Sequence, residues 1–227
     1  QALNYAVDKD AFCKVVSNGY CSPADSIIPS ALAFHVKAGD YTFNLDKAKE
    51  LMKEAGLEAG FETEVWAASN TGSLRAAQFI QQQLAQINVK VNVVPLEAGV
   101  AAQKVWGVDK PEDATVQLYY GGWSASTGDA DWGIRPLLYG QSFPPAMFSV
   151  AYYKNPKVDA AIEAGIATAD PAKRAEAYAE VQKLAWQDAP WIFLGVGQNI
   201  AAKSKSLSGV YMLPDRGFLL EDAAFAE

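Results

Sequence analysis

Between residues 61 and 120 the chain alternates three short apolar runs with two stretches of helical spacing, and nothing else in it limits folding as much. Residues 61–67 (Phe-Glu-Thr-Glu-Val-Trp-Ala) and 89–94 (Val-Lys-Val-Asn-Val-Val) alternate like half-buried strands. Between them Leu74, Ala77, Ile80, Leu84 and Ile87 share one helical face. A second helix is expected over residues 97–105, then a turn at Lys110-Pro-Glu-Asp, then a central strand over residues 116–120, mostly buried. Strands separated by 10 to 15 residue helices imply βαβ units, hence an α/β fold with a mostly parallel sheet flanked by helices. Ligands of such sheets collect at the carboxyl ends of the strands. The turn containing Asn70 and the segment after Tyr120 both leave carboxyl ends, so they are expected to share one site.

That second segment is the richest in the chain. Gly121-Gly122 stops the strand where backbone must come close to something, and Trp123, Ser124, Ser126, Thr127, Asp129, Asp131 and Trp132 follow. Five hydrogen-bonding side chains between two indoles, each with one donor, suit a small polar ligand. The alternative is a loop whose hydroxyls cap its own turn while both tryptophans enter the core. Asp129 and Asp131 read as carboxylates at a helix start, with Asp129 the better placed to face ligand. Arg135 is the nearest cation, either a ligand contact or a surface arginine on a short helix.

The remaining segments surround this centre. Residues 1–18 predict two short helices, the second begun by Asp8 or Asp10 and ended by Gly19, and residues 20–43 predict loop. Asn44 caps a helix with Ala48, Leu51, Met52 and Ala55 on one face and Gly56 as its left-handed stop. Past an irregular stretch with Pro144-Pro145, one helix carries Val158, Ala161, Ile162 and Ile166, with Gly165 suggesting close approach to the sheet. Asp170 and Pro171 begin another, expected to bury Ala175, Tyr178, Ala179, Leu184 and Ala185 against the sheet. Strands are expected over residues 190–196 and 199–203, and Asp215-Arg216-Gly217 breaks the tail.

With 19 Lys and Arg against 26 Asp and Glu, the net charge of −7 argues against nucleic acid and anionic membrane surfaces. No apolar run approaches a bilayer span. Half the residues are hydrophobic, enough for a good core. Gly122-x-Ser124-x-Ser126 lacks the final glycine of a nucleophile elbow, and a triad would have to recruit His35, the single histidine. Gly195-Val-Gly197 lacks the third glycine of a dinucleotide fingerprint. Asp129-Ala-Asp131 lacks the further oxygens of a calcium loop, and zinc would need more ligands than Cys13, Cys21 and His35 offer. No cofactor, no metal and no enzyme chemistry are expected.

The Gly-Trp at a strand end, the acidic pair and the run to Arg135-Pro-Leu-Leu resemble the ligand loop of periplasmic peptide-binding proteins of ABC importers. Ala2-Leu-Asn-Tyr-Ala-Val-Asp-Lys, residues 41–56, Asn155-Pro-Lys-Val-Asp and Asp170-Pro-Ala-Lys-Arg leading to Ala189-Pro-Trp-Ile follow in the same order, so the resemblance spans nearly the whole chain. Residues 122–132, Phe143-Pro-Pro-Ala-Met-Phe and Leu213-Pro-Asp-Arg-Gly-Phe are most similar to the glutathione-binding branch.

The resemblance implies one lobe of a two-lobed, type II clamshell: residues 1–198 as the C-terminal ligand-binding lobe, and residues 199–227 as a segment returning toward the other lobe. It implies a monomer in the periplasm that hands glutathione or a short peptide to ABC permease subunits, with oligopeptides, dipeptides or nickel chelates as the alternatives. A signal peptide is expected far upstream of Gln1. In dipeptide and oligopeptide members an aspartate three residues past the Gly-Trp tryptophan pairs with the peptide α-amine; Ser126 stands there. An arginine that dipeptide members carry on the earlier strand-to-helix turn has no counterpart in residues 67–70. The implied ligand contacts are thus Asn70, Trp123, Ser124, Ser126, Thr127, Asp129, Trp132 and Arg135. In an exported protein Cys13 and Cys21 are expected to pair, against the alternative of two buried thiols.

Overall fold

The computed structural model describes residues 1–213 and 217–225. Its first elements are α1 (Ala2–Ala6) and α2 (Lys9–Val15), the latter capped by Asp8, whose carboxylate accepts from the Ala11 amide. β1 (Cys21–Pro23) follows, with Cys13 and Cys21 disulfide-bonded, Cα atoms 5.2 Å apart. After a long loop, Asn44 caps α3 (Leu45–Glu54), which ends at Gly56 with φ +71°. This is the left-handed stop that glycine adopts without strain.

The sheet comes next in β2 (Phe61–Ala68), α4 (Thr71–Leu84), β3 (Val89–Leu96), the one-turn α5 (Ala98–Ala101) with a π turn over Ala102–Trp106, and β4 (Leu118–Tyr119). Both pairings are parallel and the order is β3-β2-β4. β2, expected as one strand among others, is therefore the centre. Residues 116–120, expected as the central and mostly buried strand, contribute a two-residue edge whose Leu118 and Tyr119 are half-buried. Edge position follows from pairing on one side only: Val65 faces Leu118 and Trp66 faces Tyr119. Ala77, Ile80, Leu84, Ile87, Val89 and Val91 bury the face that α4 covers, together with Ala6, Val7 and Met52.

Residues 130–188 form a separate helical layer: α6 (Ala130–Leu138), α7 (Pro156–Ile166) and α8 (Pro171–Asp188). Ile134, Leu138, Val158, Ile162, Tyr178, Val181 and Ala185 close around Ile28 in one cluster that includes no strand residue. The expected packing of these helices on the sheet is thus corrected, as is the reading of Gly165. A Cβ at Gly165 would lie 2.8 Å from carbons of the Tyr178 ring, so the close approach is to α8. The buried face of α8 is Tyr178, Val181, Gln182, Ala185 and Trp186, rotated from the expected set; Ala175, Ala179 and Leu184 are half-buried. Gln182 is admitted because Ser26, Val36, Phe34 and Tyr178 satisfy its amide.

Residues 190–194 do not form the expected strand. Asn4 replaces a strand partner there, donating to the Trp191 carbonyl and accepting from the Phe193 amide. Only β5 (Gly195–Gly197) pairs, antiparallel to β1, and residues 199–203 are irregular. Two small ladders end the chain, β6 (Leu207–Ser208) with β9 (Ala224–Phe225) and β7 (Tyr211–Met212) with β8 (Phe218–Leu219). Asp215 and Arg216 of the expected tail break lie outside the described residues.

Candidate functional site

Because β2 and β4 are parallel neighbours, the turn after Ala68 and the loop after Tyr120 leave the same edge side by side. The Tyr120 amide still bonds the Trp66 carbonyl, and the chain departs at the next residue. Gly121 is required there, since a Cβ would sit 2.7 Å from the Tyr119 ring.

The loop then alternates. Trp123 and Ala125 are half-buried, whereas Ser124 and Ser126 are exposed. Ala125 lies over Gly133, whose missing side chain makes room for it and for Ile28. The Gly128 amide donates to the Ala125 carbonyl at 2.9 Å, closing a turn with Ser126 and Thr127 at its corners. Both side chains therefore point outward by local geometry. Gly128 has φ +72°, which favours glycine at the turn exit.

Both ends of the loop are tied to α6. The Trp123 indole N–H donates to the Trp132 carbonyl at 2.8 Å, and its ring packs on Trp132 and Phe148 with centroids 5.9 and 5.1 Å away. Asp129 caps α6 by accepting from the Asp131 amide at 2.8 Å. It also receives the Arg174 guanidinium on both oxygens, at 2.8 and 2.9 Å. Asp131 holds Arg135 through Nε and Nη2 at 2.8 to 3.1 Å and accepts from the Tyr178 hydroxyl at 3.4 Å. Burial raises the Tyr178 phenol above its ordinary pKa, which keeps it a donor here.

The expected site residues thus separate into two sets. Trp123, Ser124, Ser126 and Thr127 come together on one loop at the carboxyl edge, with Trp132 of the first turn of α6 against Trp123. Asp129 and Arg135 are committed to ion pairs within the chain, and Arg135 also lies over the Tyr139 ring at 5.5 Å. Asn70 is on the adjacent turn, where its carbonyl oxygen caps α4 by accepting from the Ser73 amide at 2.9 Å. Ser69 beside it bonds Glu97. The exposed polar side chains of the loop, Ser124, Ser126 and Thr127, are therefore uncharged, and the partly accessible Asp129 carboxylate is paired with Arg174. Arg174, Tyr178 and Phe148, which hold the loop and the start of α6, were not among the expected site residues. No local signal in the sequence pointed to Arg174, whose partner Asp129 lies 45 residues earlier.

The model of the bacterial extracellular solute-binding proteins, family 5 Middle, matches residues 1–145. The chain is 44% identical over 228 residues to the glutathione-binding protein GsiB of Pectobacterium atrosepticum, covering 100% of this chain and 44% of that protein. It is 41% identical over 224 residues to GsiB of Escherichia coli K12, covering 98% and 44%. The dipeptide binding protein of Pseudoalteromonas sp. SM9913 in complex with Met-Leu superposes with a TM-score of 0.84 at 25% identity, over 99% of this chain and 44% of that one. HbpA2 of Haemophilus parasuis gives 0.82 at 26%, over 100% and 44%. The chain spans 44% of the length of these curated relatives.

Proposed function

The chain belongs to the bacterial extracellular solute-binding proteins of family 5, and on that basis we propose that it is the ligand-binding lobe of an ABC importer's substrate-binding component. It captures glutathione or a short peptide in the periplasm and delivers it to membrane permease subunits, without catalysing a reaction. The observation that carries this reading is the loop at the carboxyl edge, where Ser124, Ser126 and Thr127 stand exposed beside Trp123 and Trp132. Glutathione is favoured over other peptides by the GsiB relatives. It is favoured too by the absence of a carboxylate at Ser126, since glutathione carries two carboxylates and one ammonium near neutral pH. Asn70 belongs to the site through the neighbouring turn.

We place the lobe at residues 1–198 and read residues 199–227 as returning toward the rest of the protein. Exposed apolar side chains support this: Tyr211, Phe218 and Phe225 are 60%, 53% and 72% accessible. The protein is expected to work as a monomer that closes on its ligand by hinge motion between two lobes.

Calorimetry of the full-length protein against glutathione, dipeptides and a nickel chelate tests the reading. Glutathione should bind most tightly, and tighter binding of either alternative would reassign the ligand. If the whole protein held glutathione at ~1 µM, or about −8.2 kcal/mol, this lobe alone, with half the contacts, should bind near millimolar. Micromolar binding by the isolated 227 residues would refute the sharing of the site between lobes.

A further inference from the structure

We infer that Arg174, on α8, is the positioning residue of the ligand loop, an assignment that rests on the binding reading above. Arg174 itself does not belong to the exposed set of the loop. Among the described residues it reaches the loop through Asp129, whose carboxylate lies 45 residues earlier in the chain and receives both bonds from Nη2. The guanidinium is fixed from several sides. Its Nε donates to the Gly165 carbonyl at 3.2 Å, near the end of α7, and Nη2 lies 3.3 Å from the Tyr178 hydroxyl. The Phe34 and Tyr178 rings flank it at 5.1 and 5.4 Å.

A cation held this way holds its partner. Asp129 is the cap of α6, and the Thr127 hydroxyl accepts from the Asp129 amide at 3.3 Å, so the turn bearing Ser126 and Thr127 ends on the anchored carboxylate. At the other end Trp123 hangs on the carbonyl of Trp132, in the first turn of that same helix. Fixing the start of α6 therefore fixes both ends of the loop. The hydroxyls gain a set position without an unpaired charge beside them, because Asp129 pairs with Arg174 and Asp131 with Arg135. Charge-assisted contacts of this kind are stronger than neutral hydrogen bonds, and the guanidinium is held in place by its further contacts.

The test uses the full-length protein in four forms: wild type, Arg174→Gln, Arg174→Lys and Asp129→Asn. Asn155→Ala serves as a control, removing the cap and an Asp188 contact of α7 well away from the loop. Amide hydrogen exchange of the unliganded protein and calorimetric Kd for glutathione and a dipeptide are read together. Arg174→Gln should speed exchange at residues 121–132 by about tenfold or more and weaken the preferred ligand by a similar factor, the effect of one lost charge-assisted contact. Arg174→Lys should recover part of both, since it keeps the charge but not the second contact to Gly165. Asn155→Ala should lower Tm and leave both readings unchanged. Unchanged exchange at residues 121–132 in Arg174→Gln, or acceleration spread evenly over α7 and α8, would overturn the assignment even if ligand still bound. If wild type bound none of the ligands, the functional reading would fall, and the exchange pattern would still decide the role of Arg174.

Discussion

The indole of Trp123 donates to the carbonyl of Trp132 across 2.8 Å, so the first aromatic of the loop is tied to the second by backbone as well as by ring contact. Trp123→Phe should keep a ring against Phe148 but lose the hydrogen bond and part of the packed area, costing about 1–2 kcal/mol. Trp123→Ala should cost more, about 2–3 kcal/mol, below the 3–5 typical of a fully buried tryptophan because the ring is half-buried. Urea denaturation of the three proteins checks the order. Equal losses would mean that the hydrogen bond, and not the ring, carries the stability.

A buried lysine and its tyrosine neighbour set the alkaline behaviour. Lys9 donates to the carbonyls of Asn4 and Tyr41 at 2.6 and 2.9 Å. Burial lowers its pKa to about 8, partly opposed by Asp40 and Asp8. Burial, with the charges of Tyr5 and Asp188, raises Tyr41 to about 12. Between pH 8 and the ordinary lysine value of 10.5 the unfolded chain keeps a proton that folded Lys9 has released, so stability rises with pH, by at most on the order of 3 kcal/mol. Above pH 10 the unfolded chain loses a proton that folded Tyr41 retains, so stability falls. Stability should therefore peak near pH 10. Urea melts from pH 7 to 11 should show the rise in wild type and its loss in Lys9→Met; the same slope in both would exclude Lys9 as the source.

Removing the disulfide should loosen the corner where β1 meets β5. Cys13 and Cys21 pack with Phe12, Ala76 and Leu194, and a Cβ at Gly195 would lie about as close to both sulfurs as contact permits, at 3.0 and 3.1 Å. Reduction, or the double change Cys13→Ala and Cys21→Ala, should cost roughly 2 kcal/mol for so short a ring. Differential scanning calorimetry with and without reductant measures it. Intact mass after alkylation without reductant should show no added groups, and two additions would mean that the thiols are free.

Local signals in the sequence were faithful where the deciding physics is local. Asn44 and Asp170 each cap the helix they were expected to begin, because a short polar side chain before a periodic run has one nearby set of amides to satisfy. The βαβ order was legible for the same reason. What failed depends on partners far along the chain. Residues 116–120 look like a central strand by composition, yet among the described residues only β2 pairs with them. Gly165 does signal close approach, but its spacing is silent on whether sheet or Tyr178 fills the gap. The Pro190 segment reads as strand until Asn4, some 190 residues earlier, supplies its hydrogen bonds. In the site, the exposed hydroxyls follow from the alternation and the turn at Gly128, whereas the neutralisation of Asp129 by Arg174 could not be read without the helical layer.

Ser126 offers the sharpest test of ligand identity, because it sits at an exposed turn corner where a longer side chain meets no packing constraint. Peptide-binding relatives are expected to hold the α-amine with an aspartate at this position. Ser126→Asp in the full-length protein would add the only unpaired carboxylate of the loop, since Asp129 and Asp131 are held by arginines. A charge-assisted hydrogen bond to an ammonium is worth about 1.5–3 kcal/mol, so an ordinary dipeptide should gain on the order of tenfold to a hundredfold in affinity. Glutathione should lose affinity, its extra carboxylate now facing a negative charge. Trp123→Ala should instead weaken both ligands by removing their shared apolar wall. Calorimetry of both ligands against the three proteins separates the patterns: an unchanged glutathione-to-dipeptide ratio in Ser126→Asp would show that this corner does not face the ligand, whatever happens at Trp123.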